Sequence, residues 1–277
     1  MVGLGGKTVQ PIRLGENALF RVGQHTVARV ARGLHMLADA AKEVAVADWL
    51  QAAGMRAARL APHIDQPVTV EGYPVTFWQF IEASGPRPTI TELGSVLREL
   101  HALPLAEGLR LPDYDMFGRA KRRIAVADDI SESDRRFLSE RYEELFERYE
   151  EIEFTLTSGA LHGDAHQSNL MRDAQGNVVL IDFEGMAFGP PEADLAMTAT
   201  EYLIGWHTKS EYQGFVTSYG WDVIDSPAFP VLRSIHELKM TTWLMQNVGE
   251  SQRIATEYQT RIAALRDDSA PRAWQPF

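Results

Sequence analysis

Two short apolar runs, each ending in a cluster of polar side chains, constrain this chain more than any other feature. Gly159 to Leu161 leads into Leu161-His162-Gly163-Asp164-Ala165-His166-Gln167-Ser168-Asn169-Leu170. Leu170 and Met171 resume an apolar run, Asp173 to Asn177 supplies turn residues, and Val178 to Ile181 then delivers Asp182-Phe183-Glu184. Short buried strands bounded by turn residues satisfy this pattern, with the polar residues at strand ends where ligands bind.

The residue types in the cluster suit a definite chemistry. Asp164, just past a buried strand, can accept a hydroxyl proton. Asn169 and Asp182 offer hard oxygen ligands of the kind that share Mg²⁺ with phosphate oxygens. A different arrangement is open from the residues alone: His162, Asp164 and His166 could form a transition-metal site, since imidazole suits zinc or iron, although no further His or Cys cluster has ligand spacing.

Composition excludes several classes. A chain of 277 residues with 45% hydrophobic and 23% charged content can bury a core as one large domain or two small ones. It has no cysteine, hence no disulfide or thiolate metal site, and no run of about 18 apolar residues that would span a membrane. The glycine-rich start, Met1 to Gly6, does not read as a signal peptide, and a cytoplasmic location is expected. A net charge of −11 is opposite to that of a general nucleic-acid binder. Much of it lies in Asp128 to Glu153, with eleven acidic residues against four arginines. Such a run is either a solvated helix face with pairs such as Glu132 and Arg136, or an acidic wall that attracts a cationic substrate.

His-x-Asp-x-x-x-x-Asn followed by a strand ending in Ile-Asp-Phe resembles the catalytic loop and metal-binding segment of the aminoglycoside phosphotransferase family, which shares the protein-kinase-like fold with choline kinases. The resemblance implies that Asp164 is the catalytic base, Asn169 and Asp182 hold Mg²⁺, and His162 buttresses the loop. It implies a bilobal α+β fold, with a small sheet-bearing nucleotide lobe over residues 1–82 and a larger helical catalytic and acceptor lobe over 83–277.

Other positions acquire roles from the same resemblance. Val9 to Arg13, Ala18 to Val22 and His25 to Arg32 read as three strands. The first turn, Leu14-Gly15-Glu16-Asn17, is either a plain hairpin turn or a phosphate-covering loop. Its position is similar to that of the family's nucleotide loop, which makes Asn17 a candidate. Arg29 matches the basic phosphate-binding residue of the third strand, where lysine is commoner. Glu43, in a helix expected over Leu34 to Ala53, resembles its acidic partner. Pro74 to Ile81 reads as a strand feeding a hinge at Gln79, Phe80 and Ile81, whose backbone would meet the adenine edge. Thr91 is the expected cap of a helix reaching Leu103, and Ser131 caps one reaching Glu151. Asp194 resembles a residue that braces the catalytic loop. Only twelve positions separate Asp182 from Asp194, too few for a peptide-docking activation segment, which favours a small-molecule acceptor.

The last third reads as helices, with Glu184, Glu201, Trp206, Glu237, Thr241 and Trp243 as candidates to line the acceptor site, and a tail packed by Trp274 and Phe277. The expected activity is transfer of a phosphoryl group from ATP or GTP, with Mg²⁺, to a hydroxyl of a cationic antibiotic such as an aminoglycoside or basic peptide, by a monomer or homodimer. The alternatives are a metabolic kinase of an amino sugar, choline-like or homoserine-like acceptor, a non-catalytic nucleotide-binding module, or a metal-dependent hydrolase built on His162, Asp164 and His166.

Overall fold

A computed structural model describes residues 6–15, 17–267 and 269–277 of the chain. Residues 1–5, and Glu16 of the expected phosphate-covering turn, lie outside the described residues.

β-Branched and aromatic residues in the first eighty positions build a five-stranded antiparallel sheet. Its strands are β1 (Val9–Leu14), β2 (Ala18–Val22), β3 (Thr26–Val30), β4 (Val68–Val70) and β5 (Tyr73–Gln79), in spatial order β1-β2-β3-β5-β4. Pro11 is tolerated because β1 is an exposed edge, and the pairing of β1 with β2 shifts register between Pro11 and Arg13. β5 is buried along its middle, and Val22, Ala28, Ala61, Val75 and Phe77 form the local core. A single 3₁₀ turn, Leu34–Met36, precedes α1 (Leu37–Ala52), so the helix expected from Leu34 starts as a tighter turn.

Residues 56–61 stitch this sheet to the later strands. Ala58 N–H donates to Leu180 O at 2.8 Å and Leu180 N–H to Arg56 O at 3.0 Å, while Ala61 N–H donates to Phe77 O and Gln79 N–H to Arg59 O, both at 2.8 Å. The linker after β5 is pinned as well: Arg172 donates to Pro86 O and, through Nη2, to both Glu92 carboxylate oxygens at 2.8 Å.

α2 (Ile90–Ala102) is capped by Thr89, not Thr91: the Thr89 hydroxyl accepts from Glu92 N–H and the Glu92 carboxylate accepts from Thr89 N–H. The reciprocal box satisfies two end donors at once, which a cap at Thr91 could not do with Gly94 three residues on. A short helix follows, α3 (Ala120–Val126), which the sequence reading passed over, and then the long α4 (Glu132–Glu150), capped by Ser131 as expected. On α4, Glu132 pairs with Arg135 at 3.6 Å, not with the expected Arg136. β6 (Gly159–Leu161) pairs with β9 (Ala187–Gly189), and between them β7 (Leu170–Arg172) and β8 (Val178–Leu180) form a hairpin.

The remaining helices are α5 (Glu192–Leu203), α6 (Lys209–Tyr219), α7 (Phe229–Met245) and α8 (Gln252–Arg266). α7 is the central one, packing against α3, α4, α5 and α8. Trp274 anchors the C-terminal tail: it is buried, its carbonyl accepts from Trp206 Nε1 at 2.8 Å, and Arg261 lies over its ring. Phe277 does not pack as expected; it is largely exposed, with the Arg253 guanidinium over its ring.

By contacts the chain divides into two units, one comprising residues 1–112 and 159–188, the other residues 113–158 and 189–277. The expected α+β class is observed, and among the described residues no helix is long and apolar enough to cross a membrane.

Candidate active site

The β7–β8 hairpin sets the site because its register opposes Leu170 to Leu180, which brings Asn169 and Ile181 together. Ile181 N–H donates to Asn169 O at 3.0 Å, so the residue after each, Leu170 and Asp182, leaves from one fixed junction. His162 is fully buried at the end of β6, and its Nε2 lies 3.0 Å from Ile181 O, tying the first loop to the second.

The two loops also cross at a glycine pair. Gly163 has φ +79°, and a Cβ there would lie 2.0 Å from Gly185 O; a Cβ on Gly185 would lie 2.9 Å from His162 O. Both the left-handed backbone and the lack of space require glycine at 163. Gly163→Ala should therefore cost about 3 kcal/mol, a fall of roughly 6–12 °C in melting temperature. Gly176, with a similar φ of +83° and nothing within 4 Å, is the control, where alanine should cost about 1 kcal/mol from backbone strain alone. Equal melting temperatures for the two variants would refute the close-approach argument.

Asp164 projects a carboxylate that is 56% exposed, with His166 Nε2 3.2 Å from Oδ2. Asn169 Nδ2 donates to Asp164 O at 2.8 Å and to Asp164 Oδ2 at 3.2 Å. Burial of its surroundings pushes the Asp164 carboxyl up, but the His166 contact, the charges of His166 and His162 and the Asn169 bond outweigh it and hold the group at about 2. It is a carboxylate throughout the neutral range. With its amide nitrogen bonded to Asp164, Asn169 has its carbonyl oxygen as the side chain's acceptor.

Asp182 has φ 65° and ψ 78°, a conformation uncommon for a residue with a side chain, and its carboxylate is 48% exposed. Phe183 fixes this turn: it is buried and meets Trp78 of β5 edge to face, with ring centroids 5.7 Å apart. An amide oxygen from Asn169 and a carboxylate from Asp182 match the donor set Mg²⁺ takes, one carboxylate with the rest supplied by phosphate and water. Among the described residues no three His, Cys, Asp or Glu side chains converge to hold a metal. His162, Asp164 and His166 thus form no such group, which removes the geometric basis for the hydrolase reading.

Arg29 on β3 reaches three carboxylates. Its Nη1 bonds Glu43 of α1, its Nη2 donates to Glu184 Oε2 at 2.7 Å, and Nη2 lies 3.8 Å from Asp182 Oδ1. Asn17 Nδ2 donates to the same Glu184 oxygen at 3.2 Å. Glu184, expected among acceptor-lining residues, thus lies with the Arg29 group. Lys42, which the sequence reading did not single out, donates to Glu184 O at 2.5 Å and Met186 O at 3.1 Å. Its place beside Glu43 on an amphipathic helix was the only available signal.

Burial, ahead of the opposing attraction of Arg29, pushes the Glu43 carboxyl up to about 7, with Glu184 and Asp182 adding to the rise. Between the ordinary glutamate range and about 7 the folded chain therefore holds a proton that the unfolded chain has released, and stability falls as pH rises through that window. Glu43→Gln should flatten this decline. The check is the melting temperature at pH 5 and pH 8; an unchanged difference between them would contradict the assignment.

The hinge residues follow the ladder. Phe80 N–H donates to His25 O at 2.9 Å and Ala31 N–H to Pro74 O, so even-numbered positions of β5 bond to β3 and odd-numbered ones face away. The N–H groups of Gln79 and Phe80 are thus occupied, the first by Arg59 O and the second by His25 O. Gln79 C=O falls on the side away from β3. Arg21 also packs over the Phe80 ring, with Cζ 4.0 Å from its centroid.

The acceptor candidates in the second unit are corrected in part. Glu237 is buried, accepting from Arg233 Nε at 2.8 Å and Arg272 Nε at 3.3 Å, and Thr241 and Leu244 on the same face are buried too. A helix face that looked polar turns inward because two arginines neutralise its acid. Glu201 pairs with His207 at 3.0 Å, and Trp243 is exposed on α7.

Residues 8–274 match the family model described as the phosphotransferase enzyme family. Similar solved structures include a microcompartment-associated aminopropanol kinase, with TM-score 0.70, 18% identity and coverage of 94% of this chain and 90% of that one. The amicoumacin kinase hAmiN, solved with AMP-PNP, Ca²⁺ and Ami, gives 0.69, 12%, 96% and 90%. APH(2")-IIia, solved with GDP and kanamycin, gives 0.64, 15%, 95% and 94%. No curated protein sequence matched. The expected bilobal, protein-kinase-like α+β fold is shared with these structures, and the chain, a phosphotransferase, belongs to the phosphotransferase enzyme family.

Proposed function

We propose that the chain transfers the γ-phosphoryl group of ATP or GTP to a hydroxyl of a small, amine-bearing molecule. The observation that supports this reading is the junction at Ile181 N–H and Asn169 O, which ties the segment leading to Asp182 to the loop that carries Asp164 and Asn169. Residues 1–82 would serve as the nucleotide lobe and 83–277 as the catalytic and acceptor lobe.

Asn169 Oδ1 and the Asp182 carboxylate would hold Mg²⁺, which when bound neutralises charge on the phosphate oxygens. Arg29, kept in place by Glu43, binds the phosphates, and Gln79 C=O with Ile81 N–H meets the base edge. Asp164, held near pKa 2, is a weak base. Its main contribution is then to accept a hydrogen bond from the acceptor hydroxyl and aim its oxygen at phosphorus. It takes the proton as the bond to phosphorus forms, in keeping with a loose transition state that needs positioning more than deprotonation.

An amine on the acceptor is supported by exposed Glu140, Glu147, Glu150, Glu151 and Glu153 on and after α4. It is also supported by the aminopropanol and kanamycin named for similar structures. The pairing of Glu237 with arginines and of Glu201 with His207 favours a second reading, a small amino alcohol of metabolism over a polycationic antibiotic. The test is a phosphorylation assay with ATP and GTP across aminoglycosides, basic peptide antibiotics, amino alcohols, amino sugars, choline and homoserine, read by mass spectrometry for one added phosphate. Phosphorylation confined to neutral or anionic acceptors would reject the amine, and no nucleotide consumption with any acceptor would reject the kinase reading.

A further inference from the structure

Glu184 is gripped at both ends, its carboxylate by two groups expected to receive a nucleotide and its main chain by Lys42. Its carboxylate oxygen Oε2 takes donors from Arg29 at 2.7 Å and Asn17 at 3.2 Å, and its main-chain oxygen takes Lys42 Nζ at 2.5 Å. Arg29 is a fork with unequal prongs: the Glu43 carboxylate on Nη1 is 7% exposed, whereas Glu184 on Nη2 is 28% exposed. One partner is fixed in the core and the other can be displaced from the solvent side. One carboxylate oxygen shared by a guanidinium and an amide N–H takes the place that an anionic phosphate oxygen would take on those donors.

We infer that Glu184 is a phosphate stand-in. Its carboxylate occupies the Arg29 and Asn17 donors, and a nucleotide binds by displacing it while Lys42 keeps the Glu184 main chain in place. The inference rests on the proposed assignment of Arg29 and Asn17 to the nucleotide. Its consequence is that Glu184 sets nucleotide affinity by competition, separately from the metal ligands. Lys42 is a positioning residue that lets the side chain swing without unravelling the Asp182–Met186 turn.

The test is the affinity of wild type and Glu184→Gln for ATP, ADP and adenosine, measured by calorimetry without acceptor, once in Mg²⁺ and once in EDTA. Glutamine keeps the size and removes the charge. ATP and ADP affinity in EDTA should tighten about threefold to tenfold, the gain from freeing one charge-assisted contact, and adenosine affinity should not change. Unchanged or weaker ATP binding in EDTA would overturn the inference, as would an equal gain for adenosine, which has no phosphate. A loss confined to Mg²⁺ conditions would make Glu184 a metal ligand instead. If the glutamine variant fails to fold, Glu184→Asp, too short to span both donors, should give the same sign of change. Wild type that binds adenosine phosphates, with variants identical to it, refutes this inference alone; wild type that binds no nucleotide refutes the proposed function and this with it.

Discussion

Replacing Asp164 by asparagine should lower phosphoryl transfer by about 100-fold or more while leaving nucleotide affinity within about twofold of wild type. The substitution is nearly isosteric, and the 2.8 Å bond from Asn169 Nδ2 to the Asp164 main-chain oxygen does not involve the side chain, so the loop keeps its shape. What disappears is an anionic acceptor, 56% exposed, oriented by His166 and Asn169. An amide presents only one acceptor oxygen and cannot take the proton when the hydroxyl bonds to phosphorus. Because the group stays ionised down to about 2, the wild-type rate should show no acid limb from Asp164 above about pH 4, and any limb nearer 7 must come from another group. Turnover of the variant within threefold of wild type would show that Asp164 neither aims nor deprotonates the acceptor.

Most of this site was legible in the sequence because its register is local. Asn169 and Asp182 flank a hairpin whose turn, Asp173 to Asn177, is short and rich in turn residues, so pairing Leu170 with Leu180 follows from strand length and turn position. Helix starts were legible where a hydroxyl and an acid stand three apart, as at Ser131; Thr91 misled because Thr89 with Glu92 makes the stronger box. Contacts between distant segments left no such mark. Residues 56–61 bond to both Leu180 and Phe77 through the main chain, and main-chain bonding has no side-chain signature. Charge partners were equally hidden: Glu237 and Arg272 lie thirty-five residues apart, and periodicity shows which face an acid occupies but not the cation that meets it. The same limit hid the pairing of Glu184 with Arg29, 155 residues away.

Asp182→Ala is expected to have the second large effect, and it should separate from Asp164→Asn in kind. Asp182 supplies the only full negative charge in the pair proposed to hold Mg²⁺, so its loss should cut turnover by about 100-fold or more and raise the Mg²⁺ concentration needed for half activity. Asn169→Ala should act in the same direction but less strongly, since an amide oxygen contributes a dipole where Asp182 contributes a charge. Alanine at φ 65° also adds backbone strain that aspartate tolerates better, so Asp182→Asn is the companion that keeps the side-chain shape and local bonding. In EDTA the picture should reverse. Asp182 lies 3.8 Å from the Arg29 guanidinium and repels an incoming phosphate chain, so both Asp182 variants should bind metal-free ATP at least as tightly as wild type. Calorimetry in Mg²⁺ and in EDTA reads the two effects apart. Wild-type Mg²⁺ dependence of turnover in Asp182→Asn would remove Asp182 from the metal site and leave its strained backbone without the explanation offered here.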